Sequence, residues 1–187
     1  MGRDQVALNA QIFISPANGF FPNQTTADYQ ALRPFSSPQF AYCNGQFAYR
    51  TCSFLMKVRA QGATGPLLAS EQFILGGMHS VRGYEQSQFL ADNAVLLNLE
   101  WYMPKFSTYK PIKDQVQFLL FTDIGWGMNY KTANLDASSQ WLGGIGPALR
   151  YEIPPYFNLS AEYGFKLQNV PGGDATGRFY LKSTVTY

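Results

Sequence analysis

"QVQFLLFTDIGWGM", residues 115 to 128, carries the two-residue alternation of a long β-strand. Successive side chains of a strand point to opposite faces, which puts Val116, Phe118, Leu120, Thr122, Ile124, Trp126 and Met128 together. Gln115, Gln117, Leu119, Phe121, Asp123, Gly125 and Gly127 fall on the other face. One face is apolar and carries a tryptophan near its end; the other holds a carboxylate beside two glycines. The pattern recurs outward from this stretch in both directions. "AVLLNLEWYM" (94 to 103) sets Val95, Leu97, Leu99, Trp101 and Met103 against Leu96, Asn98, Glu100 and Tyr102. "WLGGIGPALRYEI", "YFNLSAEYGFKL" and "RFYLKSTVTY" alternate likewise downstream, as "SFLMKVRAQ" and "VALNAQIFI" do upstream, with charges such as Lys57, Arg59, Arg150, Glu162 and Lys182 on the polar face.

A half-buried sheet of a soluble sandwich or lipocalin-like barrel also alternates. Three features favour a membrane-crossing barrel. The strands run to about ten residues, the length that crosses a bilayer at a tilt, whereas soluble strands average about five to six. Trp101, Trp126, Trp141, Tyr151, Tyr163 and Tyr187 lie towards strand ends on the apolar face, as an interfacial girdle does. Connections also alternate in length, long at 15 to 35, 63 to 91, 129 to 139 and 168 to 177, shorter near Thr51, at 104 to 114 and at Pro154-Pro155. The reading is an all-β, transmembrane antiparallel barrel region of about eight strands. Those strands span 4–14, 36–50, 52–62, 92–103, 115–128, 140–153, 156–167 and 178–187. In the second of them apolar parity shifts across "CNGQ" (43 to 46), which a hairpin turn or a β-bulge there would explain.

Composition narrows the class. Of the 187 residues only 14 % are charged and 16 % are aromatic, with 17 Gly, and the net charge is +2. No run approaches the roughly 18 apolar residues of a membrane helix. No Lys/Arg cluster marks a nucleic-acid footprint. The N-terminus enters a strand without a secretion signal, as in a mature chain or a piece of a longer one. Cys43 and Cys52 either pair in an oxidising compartment or are two small buried thiols, and with His79 the only histidine a zinc site is not expected.

"ASEQFILGG" followed by "VRGY" (81 to 84), "NLEWYMP" and "FTDIG" resembles the C-terminal barrel region of two-partner-secretion transporters of the haemolysin-activator and filamentous-haemagglutinin type. These lie in the superfamily that also holds the outer-membrane barrel-assembly proteins. The resemblance covers most of the chain downstream of about residue 50. It implies the C-terminal half of a sixteen-stranded barrel in the bacterial outer membrane, with a long external loop, 63 to 91, folded into the lumen as plug or gate. It implies no enzymatic activity and no cofactor, and as partners a secreted adhesin or cytolysin polypeptide and outer-membrane lipid. An eight-stranded barrel that closes by itself is filled by its own side chains and would leave the loop outside. The alternatives are a barrel-assembly factor and a small structural or ligand-binding barrel.

The site that the pattern and the resemblance together single out is a loop lock. Val81, Arg82, Gly83 and Tyr84 form the tip; Phe121, Asp123, Gly125 and Glu100 form the wall. Gly83 permits a tight tip, and the arginine fork fits a carboxylate bidentately, in space left by Gly125 and Gly127. Ser80 and His79 are adjacent and point apart on an extended chain, so a nucleophile-base pair is not expected. Arg150 with Glu152 and Lys166 with Glu162 read as solvated wall charges.

Overall fold

The computed structural model describes residues 4–16, 25–130, 138–170 and 176–186. Ten strands follow the two-residue period: β1 (Gln5–Ser15), β2 (Phe40–Arg50), β3 (Phe54–Ala63), β4 (Phe73–Leu75), β5 (Phe89–Ala91), β6 (Asn93–Tyr102), β7 (Gln115–Met128), β8 (Ser139–Ile153), β9 (Phe157–Lys166) and β10 (Gly177–Val185). Eight of them form one antiparallel sheet in the order β1-β2-β3-β6-β7-β8-β9-β10, and β4 pairs with β5 in a hairpin inside the long loop. Among the described residues no ladder joins β1 to β10, so this sheet has two edges. Residues of β2, β3 and β10 nevertheless line one cavity, so the sheet curls around a common interior.

Long connections (16–39, 64–92, 129–138, 167–176) leave one rim and short ones (51–53, 103–114, 154–156) the other. The last turn contains a cis Pro154-Pro155 bond. The outer face carries Trp101, Trp126 and Trp141, each 45–46 % exposed. Trp126 and Trp141 are cross-strand partners near the long-loop rim, while Trp101 packs on Phe54 near the other. Tyr163 and Tyr151 pack edge-on against Phe165 and Phe157 at opposite rims. Tyr187 lies outside the described residues.

The expected irregularity at "CNGQ" is absent. β2 keeps one continuous register with β1 from Phe40 to Arg50 and with β3 from Tyr42 onward, without turn or bulge. The parity shift arises because Phe40 and Tyr42 face inward, where Tyr42 stacks on Phe13 at 4.7 Å and donates its hydroxyl to Glu71 of the long loop. Cys43 lies within β2 and Cys52 in the β2–β3 turn; both are exposed, against the expectation of buried thiols. The extended backbone from Cys43 to Arg50 spans roughly 23 Å at about 3.3 Å per residue, too far for a disulfide.

The α-helix found among the described residues, α1 (Thr26–Leu32), is not legible as an element in the sequence pattern, although Thr25 and Asp28 form a reciprocal capping box. The core is on the inner face. Leu75, Val81, Tyr84, Leu96 and Leu142 make one buried cluster, and Leu55, Tyr102, Leu119, Phe121 and Ala148 a second. Apolar residues on the otherwise polar face are thus those that the long loop covers or that pack beneath it.

Candidate functional site

The tip of the loop enters the curled sheet at Val81-Arg82-Gly83-Tyr84. Three of these four residues are held by wall positions that lack a side chain. Gly83 has φ +101°, a left-handed conformation that glycine adopts without penalty. A Cβ on Gly164 of β9 would stand 2.5 Å from the Gly83 nitrogen, and one on Gly144 of β8 2.0 Å from the Arg82 carbonyl oxygen. The tip therefore lies backbone against backbone. Gly83 donates its N–H to the Tyr180 hydroxyl, which in turn donates to the Tyr84 carbonyl. Tyr84 is fully buried; its own hydroxyl donates to the Gln168 carbonyl at 2.9 Å and accepts from the Gln168 N–H at 3.1 Å.

Arg82, 4 % exposed, makes a planar fork onto Asp123: Nε to Oδ2 at 2.7 Å and Nη2 to Oδ1 at 2.8 Å. Its backbone N–H adds a third bond to Oδ2 at 3.0 Å. Nη1 reaches Glu100 at 2.9 Å and Glu162 at 3.1 Å, and the guanidinium lies 3.6 Å above the Phe121 ring. Asn98 donates to Asp123 Oδ1 at 2.7 Å and to the Ser80 carbonyl. Two cations, Arg82 and Arg150, thus meet three carboxylates, Asp123, Glu100 and Glu162. The hydroxyls of Tyr102 and Ser160 donate to Glu100 and Glu162, which disperses the excess negative charge. Buried charges persist only when paired and hydrogen-bonded, and this network meets both conditions.

The structure brings together all eight residues singled out from sequence, with one change of role. Gly125 does not make room for the arginine. A Cβ there would meet Leu75 Cδ2 at 2.8 Å and Val81 Cγ2 at 2.9 Å, so its space is taken by the apolar flank of the tip. Glu162, legible as an inner-face charge but not as a partner of the tip, joins the site together with Gly144, Gly164 and Tyr180; they come from strands some sixty to a hundred residues downstream. The wall charges expected to be solvated are instead engaged, and Glu162 is buried. Arg150 binds Glu100, Glu152 binds Lys105, and Glu162 binds Arg82, while Lys166 sits 5.5 Å from the Tyr84 ring centre. Ser80 serves the loop turn, donating to the Ile74 carbonyl and accepting from the Gly76 N–H.

A second cluster ties the loop at its base. Asp92, fully buried between β5 and β6, accepts from Arg33 Nη2 at 2.8 Å, from Leu67 N–H at 2.9 Å and from Tyr130 N–H at 2.9 Å. Asn129 completes it, accepting from the Asp92 N–H and donating to the Leu90 carbonyl. Arg33 directly follows α1, so the first long connection and the loop base share one anchor. Burial raises the Asp92 pKa, but the Arg33 fork and the two backbone donors outweigh it and hold the carboxyl below its ordinary value.

Comparison with known proteins agrees with this architecture. The Omp85 superfamily domain matches residues 6–183, and the chain belongs to that superfamily. It is therefore a β-barrel protein of the Gram-negative outer membrane. Two relatives are heme/hemopexin transporter proteins HuxB from two strains of Haemophilus influenzae. One is 24 % identical over 86 % of this chain and the other 27 % over 87 %. The alignments cover only 28 % and 29 % of those proteins, so the chain spans less than a third of their length. No solved structure matches.

Proposed function

From its place in the Omp85 superfamily, we propose that the chain is the C-terminal barrel region of an outer-membrane polypeptide translocator of the two-partner-secretion type, within a sixteen-stranded barrel. Residues 64–92 act as the lumen plug, and Arg82 with Asp123, Glu100 and Glu162 is the lock that keeps the plug seated. The observation that supports this most is the position of Arg82: a loop arginine buried on the inner face and spent on three wall carboxylates. A solvated loop residue would gain at most about 1 kcal/mol from such a partner. A network this enclosed gives the loop two states, seated and withdrawn, and withdrawal would open a polar path. The partner is an unfolded secreted polypeptide, an adhesin or cytolysin by motif. By likeness to relatives named for heme and hemopexin, a partner connected with heme acquisition is also to be tested. The activity belongs to transport rather than to bond chemistry.

The test is secretion of candidate partners from cells with and without the full-length parent. Partner-specific loss of secretion supports the reading. General depletion of outer-membrane proteins would instead identify an assembly factor, and no change in either would identify a structural barrel.

A further inference from the structure

Beneath the loop tip the concave face of the curled sheet lines a half-open cavity of 590 Å³, bordered by Met78, His79 and Arg82 and walled by β2, β3, β6, β8, β9 and β10. That is within the range of about 300 to 1,000 Å³ of small-ligand sites. Its charges divide into two kinds. Every carboxylate in its lining is already engaged: Glu100 by Arg82 and Arg150, Glu162 by Arg82, Glu152 by Lys105. Of the cations, Arg82 and Arg150 are spent on these groups, and Arg59 donates to the His79 carbonyl. Lys57 of β3 and Lys182 of β10 are exposed to the cavity from opposite sides, with no hydrogen-bond or ion-pair partner among the described residues. The unspent charge of the chamber is positive.

Resting on the translocator reading, we propose that this cavity is a subsite for carboxylate-bearing segments of an extended polypeptide, with Lys57 and Lys182 as the groups that receive them. A lysine ammonium is a point charge on a flexible stem with no fixed bonding plane, which suits contact with a chain that moves past. Gln46 and Asn158 in the same lining offer amide groups to a peptide backbone. Low-dielectric walls concentrate the field of the two lysines on the chamber, so acidic segments are enriched there and basic ones repelled.

The experiment uses the full-length protein in nanodiscs and three fluorescent 12-residue peptides, built from Asp and Ser, Lys and Ser, or Asn and Ser, with binding read by anisotropy at low and moderate salt. The Asp/Ser peptide is expected to bind best, and added salt should weaken it. Lys57→Gln and Lys182→Gln should each lower its affinity about two- to five-fold. Protease resistance of the loop, measured in parallel, should not change in either variant. Equal binding of the three peptides, preference for the Lys/Ser peptide, or an unchanged affinity in the double variant would overturn the subsite. If any of these occurs while partner-specific secretion persists, the subsite is wrong and the translocator reading stands. If the Asp/Ser preference is retained without any secretion phenotype, the subsite stands and the translocator reading falls.

Discussion

Arg82 and Asp123, forty-one positions apart, share three hydrogen bonds, two from the guanidinium and one from the arginine's own backbone N–H. The carboxylate is therefore held by the loop's main chain as well as by its charge. Only a tip seated to within a fraction of an ångström makes all three, so the ion pair and the backbone seat report on each other.

Replacing the arginine tests the charge. Arg82→Ala leaves three carboxylates facing one another with Arg150 alone, a loss of about 3–5 kcal/mol for a buried pair broken on one side. Arg82→Lys should recover only part of it, because an ammonium cannot reproduce the fork. Nicking of residues 64–92 by external protease should be fast in the first variant and intermediate in the second.

The steric seat can be tested with every charge intact. Gly164→Ala places a methyl 2.5 Å from the Gly83 nitrogen, so the tip must lift, at about 1–3 kcal/mol. Gly45→Ala meets nothing within 4 Å and is the matched control. Loop protection should fall in the first and stay at the parental level in the second.

How far these contacts are legible in the sequence follows from chain distance and periodicity. The two-residue alternation and the unequal connections identify the strands, and Asp123 stands out as a lone carboxylate beside Gly125 and Gly127. Glu162 and Gly164 do not stand out, because nothing in β9 records that a loop eighty residues upstream will arrive beside them. A glycine on the inner face reads as space; which backbone or side chain takes that space is a tertiary fact, as the filling of Gly125 by Leu75 and Val81 illustrates. Phe40 and Tyr42 mimic a register fault for the same reason: both face inward, where Tyr42 meets the loop. The Arg33–Asp92 anchor joins residues 59 positions apart and follows no periodic pattern.

Removing one hydroxyl probes the other side of the tip. Tyr84→Phe keeps the ring in its cluster but leaves the half-buried Gln168 carbonyl and N–H without their partner, a cost of about 0.5–1.5 kcal/mol. Hydrogen exchange at Gln168 should quicken, with the Arg82 network still protected.

The anchor at the loop base gives a pH dependence. Asp92 has its folded pKa below the unfolded carboxylate value of about 3.9, so its contribution is complete above that value and is lost as pH falls through the depressed one. A spin label on α1 should be immobile at neutral pH and should loosen only below about pH 4. Asp92→Asn should give the loosened spectrum at every pH. Loosening between pH 5 and 7 would assign the dependence to another group.

Whether Arg82 and Asp123 seat the tip inside the barrel is read from the distance between them in the full-length protein in membranes. Solid-state NMR recoupling between ¹⁵N-labelled arginine and ¹³C-labelled aspartate, with Arg82→Lys used for assignment, reads it without a probe on either residue. A seated tip places a guanidinium nitrogen within about 4 Å of the Asp123 carboxyl carbon, as N–H···O bonds of about 2.9 Å require. No coupling assignable to Arg82, with its signal that of a solvated, mobile side chain, would contradict it.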